Sequence, residues 1–253
     1  MTRLGLALLA LALSSAPVLA QQPASGLDRP IADQTVKLPA AADETPSSLH
    51  CVTYSQFVVR ELHSGDDIGM ESVALLPRKP GAGCTTEPVA GERVLDHQGM
   101  QLWGAVGGFV LLIWPDGAND ATEFAVFDAA TGRKLHGDSM KDDDAGLISA
   151  HLTPDRHGLE LRLIRVVAGP CSLVTGGAAC WARFAATPGI PADVAHRPAP
   201  AAACAQAYQK AKLLARRDQE DPSVVAFPLT VRISPDKPAS LGPAGELSCW
   251  PAE

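Results

Sequence analysis

GMQLWGAVGGFVLLIWPDGANDATEFAVFDAATGRKL, residues 99–135, is the stretch that decides the fold of this 253-residue chain. In it, apolar runs of strand length alternate with turn-forming segments such as Gly107-Gly108, PDGAND and DAATG. Turn signals at such short intervals favour antiparallel neighbours. The stretch therefore predicts a meander of three or four strands, at residues 100–106, 109–114, 123–127 and 133–135. The unbroken apolar run at 109–114 predicts a strand that is covered on both faces.

Strand signals continue on both sides of this meander, because runs rich in β-branched and aromatic residues recur between turn-forming segments. They predict strands at residues 51–62, 71–76, 91–96, 147–152, 159–167 and 224–233. The last of these is expected at a sheet edge, since Pro228 cannot donate a backbone hydrogen bond to a neighbouring strand. One helix is predicted to begin near Cys204, where Cys204, Tyr208, Ala211 and Ala215 recur at three- and four-residue steps.

These signals together predict a mainly β fold. We expect an antiparallel meander or sandwich-like domain with blade-like hairpins, stapled by disulfides and followed by one C-terminal α-helix and strand. The predicted segments are a signal peptide (1–20), a flexible leader (21–48), the antiparallel β domain (49–185), a Pro/Ala-rich connector (186–203) and a helix–strand extension packed on the β domain (204–253).

The meander, with a weaker echo at residues 147–167, resembles one blade of a β-propeller of the quinoprotein and WD-like kind. The resemblance covers about 70 residues, whereas a propeller needs at least four blades of about 40 residues each. We interpret it as a shared meander pattern, and no family is assigned from it.

Residues 1–20, MTRLGLALLALALSSAPVLA, have the order of a secretory signal peptide. Arg3 precedes an apolar run of about ten residues, which is too short for a membrane span of about 20 residues. Small residues then lead to Ala20, after which cleavage is expected. No later segment has membrane-spanning length, so the mature chain is expected to be periplasmic or secreted.

Composition excludes several classes of protein. Apolar residues make up 46% of the chain and charged residues 19%, which argues against a disordered chain and against a coiled coil. The 21 Lys and Arg residues against 28 Asp and Glu residues give a net charge of −7. A dedicated nucleic-acid binder would need a concentrated basic surface, so nucleic acid is not an expected partner.

Six cysteines remain after the expected cleavage, and an even number in an exported protein predicts a disulfide frame. Cys171 and Cys180 flank Gly176-Gly177, which can turn the chain back in a hairpin or compact loop. A bond from Cys204 on the predicted helix to Cys249 would fix the C-terminal tail. These two bonds leave Cys51 to pair with Cys84, and no CxxC spacing indicates zinc. The six cysteines are predicted to be structural: Cys51, Cys84, Cys171, Cys180, Cys204 and Cys249.

Motifs with a known chemical role are missing from the sequence: there is no GxSxG, HExxH, P-loop or GxGxxG followed by a helix. The pair His136/Asp138, the group His151/Asp155/His157 and the acidic run 142–144 are better explained as polar turn residues than as metal ligands. No catalytic, cofactor-binding or metal-ligating residue is assigned.

The four tryptophans also have structural explanations. Trp103 and Trp114 lie in apolar strands and are expected in the core, whereas Trp181 and Trp250 follow disulfide cysteines and are expected to pack against the bridges.

Three hypotheses of function remain. The first is an exported, non-catalytic binding or envelope-accessory protein, including an inhibitor-type module whose acidic face meets a basic protein partner or a component of the cell envelope. The second is an exported hydrolase whose active site is assembled from distant residues. The third is a structural envelope protein. The oligomeric state is left open.

Overall fold

The computed structural model describes residues 26–40, 45–65, 69–79, 83–97, 99–142, 146–215 and 220–252. Within these ranges the protein is mainly β, with two antiparallel sheets and three helices, which confirms the predicted fold class. The expected signal peptide lies outside the described residues.

The first sheet has five strands, which follow one another in space as they do in sequence. They are β1 (Ala32–Lys37), β2 (Ser48–Thr53), β3 (Phe57–His63), β4 (Ser72–Pro77) and β5 (Arg93–Asp96). The single strand predicted at 51–62 is in fact the hairpin of β2 and β3, closed by the Tyr54 N–H donating to the Phe57 carbonyl at 2.9 Å. The sequence hides this turn because residues on both sides of it are β-branched or aromatic, and Gly and Pro are absent from it.

The segment 21–48, expected to be a flexible leader, contributes β1 to this sheet. Upstream of β1, the Asp28 N–H donates to the Ala105 carbonyl at 2.8 Å, and the Asp28 carboxylate accepts the Gly107 N–H at 2.6 Å. These bonds reach residues nearly 80 positions away in sequence, so the local composition of the leader could not indicate them.

The second sheet has nine strands. They are β6 (Gln101–Val106), β7 (Phe109–Ile113), β8 (Ala121–Asp128), β9 (Lys134–Lys141), β10 (Leu147–Leu152), β11 (Leu159–Ala168), β12 (Ser223–Ser234), β13 (Lys237–Leu241) and β14 (Ser248–Pro251). Their spatial order is β13-β12-β11-β9-β8-β7-β6, with β10 also beside β11 and β14 also beside β12. The meander predicted from residues 99–135 is confirmed as β6 to β9.

Strand β12 is not at a sheet edge, contrary to the sequence-based expectation. It pairs with β11 along one side, and along the other side with β14 near its start and β13 near its end. Pro228 lies in the gap between those two partners, where its carbonyl accepts the Gly245 N–H at 2.8 Å. The nitrogen of a strand residue faces the same side as its carbonyl, so the missing donor of Pro228 leaves the β11 ladder intact. Strands β12, β13 and β14, within residues 223–251, therefore belong to the nine-stranded sheet.

The helices are α1 (Leu173–Ala185), α2 (Ala192–Ala195) and α3 (Ala201–Ala215). The predicted helix is confirmed as α3, which begins three residues earlier than expected, and α2 lies within the expected connector. Helix α1 replaces the hairpin or loop expected between Cys171 and Cys180. Ser172 caps it, since its hydroxyl accepts the N–H groups of residues 174 and 175, and Gly177 (φ 50°) kinks it.

Three disulfides join Cys51 to Cys84, Cys171 to Cys180 and Cys204 to Cys249, which is the pairing predicted from the sequence. The second bond links the residue before the Ser172 cap to the kinked part of α1. The third joins α3 to β14, and both of its cysteines are buried.

The nine-stranded sheet separates two hydrophobic clusters. One of its faces packs with the helices, and this cluster includes Phe124, Phe184 and Phe227. Its other face packs against the five-stranded sheet, where Val110 and Leu112 meet the side chains of β2, β3 and β4. None of the helices in the described ranges is long and apolar enough to cross a membrane.

Candidate binding groove

The largest cavity opens where the two sheets diverge. It has a volume of about 820 Å³ and lies between β5 and the strands β8 and β9. A second cavity of about 400 Å³ adjoins it toward β11, and the two share Trp114, Glu123 and Ser139. We call the two cavities together the Trp114 groove. Its size is in the range of small-molecule and peptide sites.

Trp114 is held at the junction of the two cavities by the hairpin that follows β7. The backbone N–H of Trp114 donates to the Glu123 carbonyl at 2.9 Å, and its backbone carbonyl accepts the Thr122 hydroxyl at 2.5 Å. The connecting turn needs Asn119 and Asp120 at positive φ (61° and 58°), a conformation that these residue types tolerate better than most. The turn chemistry of the hairpin therefore fixes the indole at the end of the strand, half-buried instead of enclosed in the core.

Acidic side chains outnumber basic ones in the lining of the groove. Asp116 and Glu123 are exposed, and neither carboxylate forms a hydrogen bond or ion pair with another residue in the described ranges. Asp96, whose carboxylate accepts the Met100 N–H at 3.0 Å, adds a third negative charge. Lys134 is the basic side chain of the lining, and it lies over Gly137, where an added Cβ would come within 2.8 Å of the lysine chain.

Asp138 also lines the groove, but its negative charge is paired with the Arg165 guanidinium. The Arg165 guanidinium donates to its carboxylate at 3.0 Å through both Nε and a terminal nitrogen. His136 Nε2 lies 4.0 Å from the same carboxylate and is buried without a hydrogen-bond partner in the described structure. Burial lowers the pKa of His136, so its ring is neutral at physiological pH.

The metal candidates that lie within the described ranges do not assemble into a ligand set. Asp155 closes the β10–β11 turn, where its carboxylate accepts the Thr153 hydroxyl and the His157 N–H; these bonds hold the pKa of Asp155 below its usual value. Asp143 and Asp144 lie outside the described residues. Among the residues that the structure does describe, no group of three or more His, Cys, Asp or Glu side chains is arranged to hold a metal ion.

A second polar cluster closes the interface between the sheets where β3 meets β6, outside the lining of the Trp114 groove. His50 on β2 bonds through Nδ1 to Glu61 at 2.7 Å and through Nε2 to Asp33 at 2.8 Å. The Glu61 side chain is only 2% exposed, and its other oxygen accepts the Leu102 N–H of β6 at 2.5 Å. The hydrogen bond to Glu61 above all, with Asp33 adding to it, raises the pKa of His50 to about 9. The cluster therefore carries a charged imidazolium between two carboxylates at neutral pH.

Trp181 and Trp250 have structural roles. Trp181 stacks on Phe184 with ring centroids 5.0 Å apart and donates to the Arg197 carbonyl at 2.7 Å. Trp250 packs beside β11 and β12 and donates to the Asn119 carbonyl at 3.4 Å. Trp114 packs against the core between the sheets, as expected, and in addition lines the groove.

Sequence reasoning did not identify the groove, because its members come from β5, the end of β7, β8 and β9. The one local signal is the tryptophan directly before the PDGAND turn, since an aromatic residue at a strand end next to an acidic turn is placed at the surface. Comparison of the chain with protein-family models, with curated proteins and with solved structures found no match.

Proposed function

We propose that this is an exported, non-catalytic binding protein whose Trp114 groove takes an extended basic segment of a partner protein. The observation that carries the proposal is one continuous groove with a half-buried indole at its centre and two unpaired carboxylates, those of Asp116 and Glu123, beside it.

The chemistry of the groove favours a cationic and partly apolar occupant. A Lys or Arg side chain lying across an indole face gains a cation–π interaction of about 0.5–2 kcal/mol. The same cation would meet Glu123, which lines both cavities. The apolar stem of the side chain would contact Trp114 and the partly exposed Val94. An acidic ligand would instead face three carboxylates against one lysine.

The charge of the whole chain supports the same class of partner. A net charge of −7 raises the rate at which a basic protein encounters the surface, in a way that weakens as salt is added. The binding should therefore be strongest at low ionic strength.

Export is supported by the covalent frame. Three disulfides form and persist in oxidising compartments such as the periplasm or the extracellular space. We expect mass spectrometry of the exported chain to find Gln21 as its first residue; a mature chain that still carries Met1 would contradict this.

The binding test uses the indole as its own reporter. We expect a lysine-rich octapeptide to change the tryptophan fluorescence of the mature protein in a saturable way, and the matched glutamate peptide to have no effect. The Asp116→Asn/Glu123→Gln double variant should weaken binding at least tenfold, since two charge interactions of about 0.7 kcal/mol or more each are lost.

Two further variants make the result specific to the groove. Trp114→Phe should lose most of the fluorescence change, whereas Glu246→Gln, at an exposed carboxylate beside α3 outside the groove, should bind as the unaltered protein does. Equal affinity of the double variant and the unaltered protein would overturn the proposal. Labelling of the protein by reactive hydrolase probes would favour the exported hydrolase instead.

A further inference from the structure

Strand β1 is an exposed sheet edge. It pairs with β2 on one side, and no strand in the described part of the chain pairs with its other side. Five of its six residues are exposed, and the sixth is Val36. The Leu38 N–H donates to the Ser47 carbonyl at 2.9 Å, in register with the strand. Because antiparallel bonding alternates along a strand, the N–H and C=O groups of Asp33, Thr35 and Lys37 point outward.

These outward groups are self-complementary. In an antiparallel pair of two β1 strands centred on Thr35, each Thr35 faces the Thr35 of the other copy, and each Asp33 faces a Lys37. All three outward positions then lie in hydrogen-bonded pairs. The threonine pair and the two opposite-charge pairs each contribute roughly 0.2–1 kcal/mol.

We propose that two copies of this chain associate through antiparallel β1–β1 pairing centred on Thr35, which joins their five-stranded sheets into one ten-stranded sheet. The partner is a second copy because, when two β1 strands run antiparallel about Thr35, the negative Asp33 of each copy faces the positive Lys37 of the other. A two-fold axis at the centre gives the closed, isologous contact that most soluble homodimers use.

The neighbouring registers are less favourable. Moving the centre to Asp33 places two aspartates opposite each other, and moving it to Lys37 does the same with two lysines; like charges directly opposite destabilise a strand pair. Sliding one strand by one residue along the other would place its outward N–H and C=O groups opposite residues whose own groups point toward β2, so the backbone hydrogen bonds could not form. Centres at Gln34 and Val36 keep the outward groups in hydrogen-bonded pairs but set Thr35 against Asp33 or Lys37, so neither opposite-charge pair forms. The register centred on Thr35 is therefore the one that combines the backbone bonds with both opposite-charge pairs.

An exposed apolar residue beside β1 fits the same arrangement. Ile31 is 58% exposed, more than the other exposed large hydrophobic side chains of the described ranges. It directly precedes β1, and its backbone N–H donates to the Thr53 carbonyl at 2.7 Å, so the regular alternation of β1 begins after it. Its apolar side chain is exposed beside the proposed contact. The bond from Asp33 to His50 uses one carboxylate oxygen and leaves the second to meet the lysine.

The contact covers a single short strand, so a concentration-dependent dimer of modest affinity is expected. In sedimentation equilibrium of the mature protein, the average mass should rise toward twice the monomer value with concentration. Lys37→Glu, which sets Glu against Asp33, should keep the protein monomeric, and Lys37→Arg should not. A mature protein that stays monomeric up to about 1 mM would overturn the proposal.

Chemical cross-linking tests the register itself. A cysteine at position 35 would lie about 5.5 Å from its copy across the axis, within reach of a short bifunctional thiol reagent. A cysteine at position 37 would lie about 13 Å from its copy along the strands, out of reach. Thr35→Cys should therefore give a covalent dimer and Lys37→Cys should not, and the native cysteines do not interfere because all six are disulfide-bonded. Equal cross-linking of the two variants, or none of Thr35→Cys, would contradict the register.

Discussion

The interface between the two sheets is closed where β3 meets β6 and opens into the Trp114 groove where β5 faces β8 and β9. We call these places the closed end and the open end, and each contains a glutamate. At the closed end, Glu61 is 2% exposed and its two oxygens bond to His50 and to the Leu102 N–H. At the open end, Glu123 faces water in the Trp114 groove and has no partner among the described residues.

The difference shows how burial decides what a carboxylate does. A buried charge that loses its partners costs several kcal/mol, so Glu61 persists only because β2 and β6 satisfy it. An exposed carboxylate is hydrated and needs no partner from the protein, so Glu123 remains available to a ligand. The closed end therefore stabilises the fold, and the open end is the part of the interface that can bind.

The largest effect is expected from Glu61→Ala. It removes a hydrogen bond between the sheets, leaves the partly buried Leu102 N–H without its acceptor, and deprives His50 of its closer partner. We expect the free energy of unfolding to fall by about 3–5 kcal/mol. Urea denaturation measures it, with Glu123→Ala as the matched control at the open end. A loss of less than about 1 kcal/mol would mean that the closed end is not stabilised by this carboxylate.

Much of the fold could be predicted because its signals are local. The turns PDGAND and DAATG delimit the β7–β8 and β8–β9 hairpins within a few residues, and each strand between them has the composition of a buried strand. The disulfide pairing was predictable for a related reason, since two pairs could be argued from their surroundings and the third followed.

Helix α1 was missed because two signals in one segment disagree. Leu173, Cys180, Trp181 and Phe184 are buried at helical spacing, and Ser172 is a good cap. The Gly176-Gly177 pair nevertheless favours a turn. The structure contains both features, since α1 is a helix with a kink at Gly177. The packing of α1 on the nine-stranded sheet stabilises the helix despite the two glycines.

Strand β1 and both polar clusters were missed because they depend on distant partners. The sequence ADQTVK has no apolar alternation, and it becomes a strand by pairing with β2. His50 is separated from Asp33 and Glu61 by 17 and 11 residues, and Glu61 is separated from Leu102 by 41. No local sequence pattern predicts a side chain that accepts a hydrogen bond from the backbone of another sheet.

A smaller effect on the free energy of unfolding is expected from a change of pH, and it arises from His50 at the closed end. The pKa of His50 is raised from 6.5 to about 9 in the folded protein, between Glu61 on β3 and Asp33 on β1. Its contribution is therefore complete below pH 6.5, where both states bind the proton, and is lost as the pH rises toward and through 9. With a discount for the third of the side chain that water reaches, the contribution is about 1–2 kcal/mol.

The measurement is the difference in unfolding free energy between the unaltered protein and His50→Gln at several pH values. Because other groups titrate in both proteins alike, the difference isolates this histidine. It should be largest near pH 6 and shrink by about 1–2 kcal/mol by pH 10. A difference that stays constant over this interval would show that the folded protein does not hold the extra proton.

The smallest effect is expected at the open end, and its sign is opposite. Asp96, Asp116 and Glu123 are like charges around one groove, so neutralising one of them relieves repulsion. Glu123→Gln should therefore leave stability unchanged or raise it by up to about 0.5 kcal/mol, and any gain should vanish in high salt, where the charges are screened.

Glu160 is the contrasting carboxylate for this last test, because it is also accessible to water but pairs with Arg232 at 2.7 Å. Glu160→Gln should lower the free energy of unfolding by about 0.2–1 kcal/mol at low salt. The two glutamine variants then differ in sign although each removes one negative charge from the surface. If Glu123→Gln were as destabilising as Glu160→Gln, Glu123 would have a partner within the protein. The groove would then lose the unpaired carboxylate on which binding of a cationic segment depends.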